Sequence, residues 1–342
     1  MSNKNIVILK NDAVGDLVHS IKAINNLVHD QNIKKITIFL SNISYKFNFF
    51  FKNSKITVKT LNYNMSIVEK IKLFFFILSN KIDKIYILAP KNFYYFLPLF
   101  FFRIKFYAIC VNNINNYKRP KIFLRKLLYN YVVNDRAAIF KRKSSSEIQN
   151  LLTQNNESTA SSTIETKISS FLKKNLPKNY FYFHAKGKIL KELGWGINEI
   201  NLFFNNLLNY CDNLVFTKDL GLDQNTEIFK NNFSSLDFET SKLVNKTKNI
   251  IFFDNIDGMD LYNVIKYSKK TIAFHGMMTN LASIEKKSVL DLFYCKINNW
   301  HDYRNYRNSF YEFKPSYKGY DFIIPSKNIK KTLKKMEFSI KK

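Results

Sequence analysis

The stretch "NIVILKNDAVGDLVHSIKAINNLVH", residues 5–29, decides the fold. It opens on an apolar, β-branched run, the pattern of a buried strand. From Asp16 to His29 the apolar positions Leu17, Ile21, Ile24 and Val28 recur at helical spacing. Between strand and helix lies a short connection carrying two acids and a glycine. A buried strand feeding a helix is half of a βαβ unit, and the alternation continues outward. "KITIFL" (35–40), "KITVKTL" (55–61) and "KIYILA" (84–89) read as strands, and residues 66–78 as a helix. Strands alternating with helices predict parallel pairing in an open sheet.

The composition changes at "TQNNESTASSTIETKISS" (153–170), rich in Ser, Thr and Asn without core periodicity, the best linker candidate. A second α/β series follows. "NYFYFHA" (179–185), "NLVFTK" (213–218), "NIIFFD" (249–254), "KTIAFHG" (270–276) and "SVLDLF" (288–293) read as strands, with helices over 198–210, around 258–268 and from about Met278. The expected fold class is α/β: two Rossmann-like domains, 1–160 and 171–325, facing a central cleft, with 326–342 as a C-terminal helix or tail.

A chain of 342 residues with 46% hydrophobic and 16% aromatic content has material for packed cores and lacks a disordered composition. Its formal charge of +28 suits anionic partners, although the excess is spread evenly, as a general bias toward Lys, Asn, Ile and Phe would spread it. Cys110, Cys211 and Cys295 have no CxxC spacing and suggest neither a disulfide framework nor a zinc site. No signal-peptide pattern precedes the first strand, so a cytoplasmic protein is expected. The segment "FYYFLPLFFF" (93–102) is too short for the roughly 20 residues that span a bilayer. A buried helix followed by the strand "IKFYAICV" (104–111) is the first reading, and a membrane-surface patch of these aromatics with neighbouring lysines the second.

Ligands of open α/β sheets sit outside the carboxyl ends of the strands, and three such ends carry unusual residues. At the first, Gly15 permits a tight turn and Asp16 falls at a helix start, where a carboxylate serves as a cap or as a base. At the second, "FHAKGKILKELGW" (183–195), His184 ends a strand and Lys186, Lys188 and Lys191 surround Gly187 in a loop. Amides and ammonium groups there suit a phosphate; a solvated lysine-rich loop is the plain alternative. At the third, "IAFHGMMTNLAS" (272–283), Gly276 allows close backbone approach and the N–H groups of residues 277–280 would face an anion. His275 there fits a ligand contact or a satisfied buried histidine equally.

Taken in order, these motifs resemble those of glycosyltransferase family 9, the ADP-heptose:lipopolysaccharide heptosyltransferases, whose fold is GT-B. Lys10, Gly15 and Asp16 match the family's opening, and the resemblance implies that Asp16 is the base, with Lys10, Gly15 and His19 on the acceptor side. Asp12 is a spare carboxylate without motif support. His184, Ala185, Lys191 and Trp195 match the second motif, with Gly196 where proline is usual. Lys191 is then the donor-diphosphate lysine, assisted by Lys186 and Lys188. In the third motif Gly276, Ala282 and Lys286 keep the framework. Phe274 and His275 replace Asp and Ser/Thr, and Thr279 stands where the family has histidine. His184, His275, Gly276, Met277 and Thr279 complete the donor set.

The implied reaction is inverting transfer of heptose or a related sugar from a nucleotide diphosphate to a lipopolysaccharide or other cell-surface saccharide. No Asp-x-Asp motif occurs, so neither metal nor other cofactor is expected. Asp223 or Glu227 could meet the ribose, with a solvated surface carboxylate as the plainer reading of each. Association with the inner membrane's cytoplasmic face follows from the implied acceptor and the basic charge. The alternative is a degenerate nucleotide-sugar-binding protein or a basic nucleic-acid-binding one, although no RNA-binding signature or helix-turn-helix pattern marks the chain.

Overall fold

The computed structural model describes residues 4–113, 117–138, 143–153, 164, 166–217, 249–253, 256–296, 307 and 310–340. They form two compact units. Unit 1 comprises Met1–Glu165 and Arg304–Lys314, and unit 2 comprises Thr166–Tyr303 and Pro315–Lys342. The chain therefore returns once from unit 2 to complete unit 1.

In unit 1 the elements run β1 (Lys4–Lys10), α1 (Val14–Val18), α2 (Ile21–His29), β2 (Ile33–Leu40), α3 (Asn42–Tyr45), β3 (Ile56–Thr60), α4 (Ile67–Ser79), β4 (Lys84–Ile87), β5 (Lys105–Asn112), β6 (Lys118–Arg119), α5 (Ile122–Arg125), β7 (Asn130–Asp135) and α6 (Ser145–Thr153). The strand order is β3-β2-β1-β4-β5-β6, with β7 also pairing β5; all pairs are parallel except β5 with β6. Ile6 to Leu9 of β1 are all buried, the expected state of a central strand in a parallel sheet. Each such side chain contributes about 1.5–3 kcal/mol of burial. α4 starts at a capping box, in which the Ser66 hydroxyl accepts from Glu69 N–H and the Glu69 carboxylate accepts from Ser66 N–H.

The helix expected from Asp16 to His29 is broken into α1 and α2. The Ser20 hydroxyl donates back to the Asp16 carbonyl at 3.2 Å and also bonds Gln149 of α6, and such back-bonding bends helices. The segment 93–102 is not a wholly buried helix. Residues Asn92–Leu99 form a 3₁₀ helix that buries Tyr94, Tyr95 and Leu97, while Phe100 and Phe102 are exposed.

Unit 2 contains α7 (Ser170–Asn175), β8 (Phe181–His184), α8 (Gly187–Leu193), α9 (Ile197–Leu207), β9 (Asn213–Thr217), β10 (Asn249–Phe253), α10 (Gly258–Tyr267), β11 (Lys270–Phe274), α11 (Met277–Ile284), β12 (Val289–Leu292), β13 (Tyr320–Ile323) and α12 (Ile329–Ile340). Its sheet is wholly parallel in the order β10-β9-β8-β11-β12-β13. Phenylalanines fill the core, with Phe216 stacked on Phe252 at 4.5 Å and Trp195 against Phe203 and Phe274. The indole N–H of Trp195 donates to the Ser326 carbonyl at 3.1 Å, pinning the start of the C-terminal segment.

Candidate functional site

In both sheets the order reverses beside the first strand: β1 lies between β2 and β4, and β8 between β9 and β11. Connections leaving two such neighbours diverge in opposite directions and open a crevice at the strands' carboxyl ends. The candidate sites of each unit lie at these two points.

Unit 1 holds a cavity of about 510 Å³ lined by the exit of β1 (Lys10, Asp12, Asp16) and the exit of β4 (Ala89, Pro90, Lys91). Asp16 is not a helix cap. α1 begins at Val14 after Ala13, no side chain caps it, and Asp16 sits third in the helix, where its carboxylate lines the cavity near the positive end. Gly15 makes no tight turn. It lies inside α1, and the left-handed glycines among the described residues are Gly194 and Gly276. His19 packs on Phe313, with ring centroids 5.5 Å apart.

Asp12 is the residue that sequence reasoning set aside. Its carboxylate is buried, with Oδ2 2.7 Å from Lys10 Nζ and Oδ1 lacking a hydrogen-bond partner. Its carbonyl accepts the hydroxyls of Ser41 and Ser44, both at 2.7 Å, fixing the turn. Burial pushes the Asp12 carboxyl up to about 7; Lys10 opposes the shift and the neighbouring Asp16 charge adds to it. The available signal was an acid two residues after a lysine that ends an apolar strand. Lys10, placed on the acceptor side by the resemblance, is itself buried and held by Asp12.

The far wall comes from late in the chain. Glu312, buried, accepts from Asn134 Nδ2 at 2.8 Å and from Arg136 at 3.0 Å. Lys91 Nζ donates to the Asn11 carbonyl at 2.9 Å, and Arg119 to the Pro90 carbonyl at 3.0 Å. With Lys10 and Lys70 this makes five cations around three carboxylates, a lining suited to a hydroxyl-bearing ligand that carries negative charge.

In unit 2 the exits of β8 and β11 are tied together. Lys186 Nζ donates to the His275 carbonyl at 2.6 Å. Gly276 follows with φ 139°, and a Cβ there would stand 2.6 Å from Lys186 Nζ, so the position requires glycine. Thr279 closes the start of α11: its hydroxyl donates to the Gly276 carbonyl at 2.8 Å and accepts from Gly276 N–H at 3.2 Å. Asn280 N–H bonds back to Gly276 within the helix, so the outward donors expected over 277–280 end before it. Met277, half-buried, opens that first turn.

His275 Nδ1 lies 2.6 Å from Asp291 Oδ2, and Tyr320 donates to the same oxygen at 2.8 Å. Asp291 is wholly buried, and Oδ1 has no hydrogen-bond partner. Sequence reasoning missed Asp291 and Tyr320; the signal for the first was a carboxylate inside the apolar strand "VLDL".

Three placements correct the sequence reading of the second motif. The loop after β8 is two residues long, because α8 begins at Gly187, and Lys188 and Lys191 are exposed positions on that helix. His184 is wholly buried, with Nδ1 3.2 Å from the Thr217 hydroxyl, and does not face outward. Lys186 is the lysine that reaches the Gly276 turn. Asp223 and Glu227 lie outside the described residues. Among those residues, no group of three or more His, Cys, Asp or Glu gathers as a metal site.

No family model matches the chain, and no curated protein matches it in sequence. Solved structures do. A family 9 glycosyl transferase from Veillonella parvula superposes with a TM-score of 0.65 at 12% identity, over 99% of this chain and 94% of that one. ADP-heptose lipopolysaccharide heptosyltransferase II of E. coli gives 0.64 at 12% identity, over 98% of each chain. UDP-GlcNAc 2-epimerase from Methanocaldococcus jannaschii gives 0.57 at 14% identity, over 99% of this chain and 93% of that one. The fold is thus α/β of the GT-B class, with two Rossmann-like units, and the resemblance drawn from the motifs extends to three dimensions.

Proposed function

We propose that the chain is a glycosyltransferase that takes a sugar from a nucleotide diphosphate and places it, with inversion, on a saccharide hydroxyl without a metal ion. The observation that carries this reading is Asp16: an uncapping carboxylate at the switch point of unit 1, in a cavity large enough for sugar units and rich in cations. It is supported by the glycine turn at the equivalent point of unit 2, where Lys186, the first amides of α11 and His275 supply groups for a diphosphate. One of the similar structures, E. coli heptosyltransferase WaaC, holds ADP-2-deoxy-2-fluoro heptose, and another of the epimerases holds UDP-GlcNAc and UDP.

In this reading Asp16 takes the acceptor proton as the hydroxyl attacks the anomeric carbon, a contribution of about 10² to 10⁴-fold. Lys186 and the α11 amides stabilise the departing diphosphate. Lys188 and Lys191, exposed on α8, contribute to the donor's electrostatic field. The cationic lining of the unit 1 cavity fits an acceptor bearing carboxylate or phosphate, as a lipopolysaccharide core does.

The test has two arms. Nucleotide diphosphate sugars are screened for thermal stabilisation, and the best is used in transfer assays with wild-type and Asp16→Asn protein. The variant is expected to keep donor stabilisation and lose at least a hundredfold in transfer. Unchanged turnover removes Asp16 from the mechanism, and release of the sugar or its epimer without an acceptor replaces transfer by the epimerase chemistry.

A further inference from the structure

β12, "VLDL", carries a carboxylate inside a strand that is buried along its whole length. Asp291 is wholly enclosed, so its charge must be met by protein groups rather than by water. Two groups meet it. Parallel pairing sets Asp291 opposite Ala273 of β11, on the face shared by His275 two residues on, and His275 Nδ1 stands 2.6 Å from Oδ2. Tyr320, at the start of β13, donates to the same oxygen at 2.8 Å. Burial and the Asp291 charge hold the Tyr320 phenol far above its ordinary value, so it serves as a donor alone. The carboxylate therefore accepts from both, and the proton of the shorter pair sits on Nδ1.

The trio is graded from inside to outside. The Asp291 side chain is 0% exposed and that of His275 15%. Phe293 steadies the ring by an edge contact at 4.4 Å, and among the described residues no hydrogen bond engages Nε2. His275 precedes Gly276, and its own carbonyl takes Lys186 Nζ, so the ring stands at the turn assigned above to the diphosphate. A buried pair kept for stability alone has no need of this arrangement, since apolar side chains of like volume hold a fold as well or better. At this turn Lys186, Thr279 and the first amides of α11 donate hydrogen bonds. An imidazole can also part with a proton near neutral pH.

We infer that His275 is a catalytic acid that gives its Nε2 proton to the departing diphosphate, with Asp291 and Tyr320 as positioning residues behind it. The bond between the anomeric carbon and the phosphate oxygen breaks, its electron pair stays on that oxygen, and the oxygen takes the proton. The acceptor oxygen bonds the anomeric carbon, and its own proton goes to Asp16. The ring is left neutral, still donating from Nδ1 to Asp291, and takes a proton back from water after product release. Among the described residues, the other titratable or charged groups facing the pair are Lys186 after β8 and Tyr317 beside β13; the first turn of α11 adds none. This inference deepens the transferase reading and rests on it.

The experiment is the pH dependence of sugar transfer, with the donor that stabilises the wild type most. Wild-type kcat should fall on the alkaline side as the ring loses its proton. His275→Gln should lower kcat by about 10²-fold or more and remove that limb, while the donor KM changes by less than about threefold. Asp291→Asn keeps the ring but removes the charge behind it, and moves the limb to lower pH. Tyr320→Phe takes one donor off the carboxylate, strengthens its hold on Nδ1–H, and moves the limb to higher pH, each shift being about 0.5–1 pH unit. A role confined to folding does not move the limb in opposite directions. Tyr320→Phe, the mildest change, serves if His275→Gln does not fold. The inference is overturned, with the transferase reading left standing, if His275→Gln keeps the wild-type kcat and pH profile, if its loss lies wholly in KM, or if the two positioning variants leave the limb in place. A wild type that transfers from no donor overturns both.

Discussion

Replacing Asp12 by asparagine tests the electrostatics of the unit 1 cavity directly. The folded protein holds the Asp12 proton up to about pH 7, whereas the unfolded chain releases it near the ordinary value of 3.8. The folded state therefore binds more protons in between. The group's contribution is intact below the unfolded value and is lost as pH rises through the folded one. From about pH 5 to about pH 8 the wild type should lose about 2 to 3 kcal/mol through this carboxyl. Asparagine cannot titrate, and its oxygen still accepts from Lys10 Nζ, 2.7 Å away in the native pair. Calorimetric scans of both proteins at the two pH values should show Asp12→Asn gaining on the wild type by about 5–10 °C in apparent Tm as pH rises. The reasoning is refuted if the gap between the two proteins is independent of pH or widens in the other direction.

Two further outcomes concern unit 2. Gly276→Ala forces a side chain into φ 139° and against Lys186 Nζ; it should cost about 1–3 kcal/mol and abolish thermal stabilisation by nucleotide diphosphates, which a thermal-shift titration reads. Asp291→Asn can keep its one amide oxygen on His275 and Tyr320, which share Oδ2, but then buries an NH2 group at the Oδ1 position, where no hydrogen-bond partner stands. It should cost about 1–3 kcal/mol in denaturant melts and weaken nucleotide diphosphate sugar binding more than Thr217→Val, which alters the buried hydrogen bonds to Tyr182 and His184.

The regular parts of both units were legible because a central parallel strand must be apolar on both faces. "NIVIL", "KITIFL" and "KTIAF" therefore announce themselves, and helical spacing marks α2, α4 and α10. β6 and β13 escaped, being two residues and four residues long, with β13 half-buried at the sheet edge. Asp16, Lys186 and Gly276 were read to the right strand ends because ligands gather there in such sheets. Their neighbours were harder. Whether Lys186 or Lys191 reaches the Gly276 turn depends on whether a loop or a helix follows β8, and α8, starting at Gly187 where a loop was expected, puts Lys191 on an exposed turn. Asp12 differs from a solvated acid only through burial, and Glu312 only through a long-range return of the chain, neither of which has a local pattern.

That return, Arg304–Lys314, limits how the protein can be divided. The halves are not modular cassettes: a fragment ending at the linker would leave Arg136 and Asn134 facing a wall from which Glu312 has been removed. Exchanging the C-terminal half for that of a relative would also exchange Glu312 and Phe313, part of the lining of the unit 1 cavity. The lining of the unit 1 cavity is therefore inherited from both halves of the chain unless the eleven-residue segment is kept with its native partner.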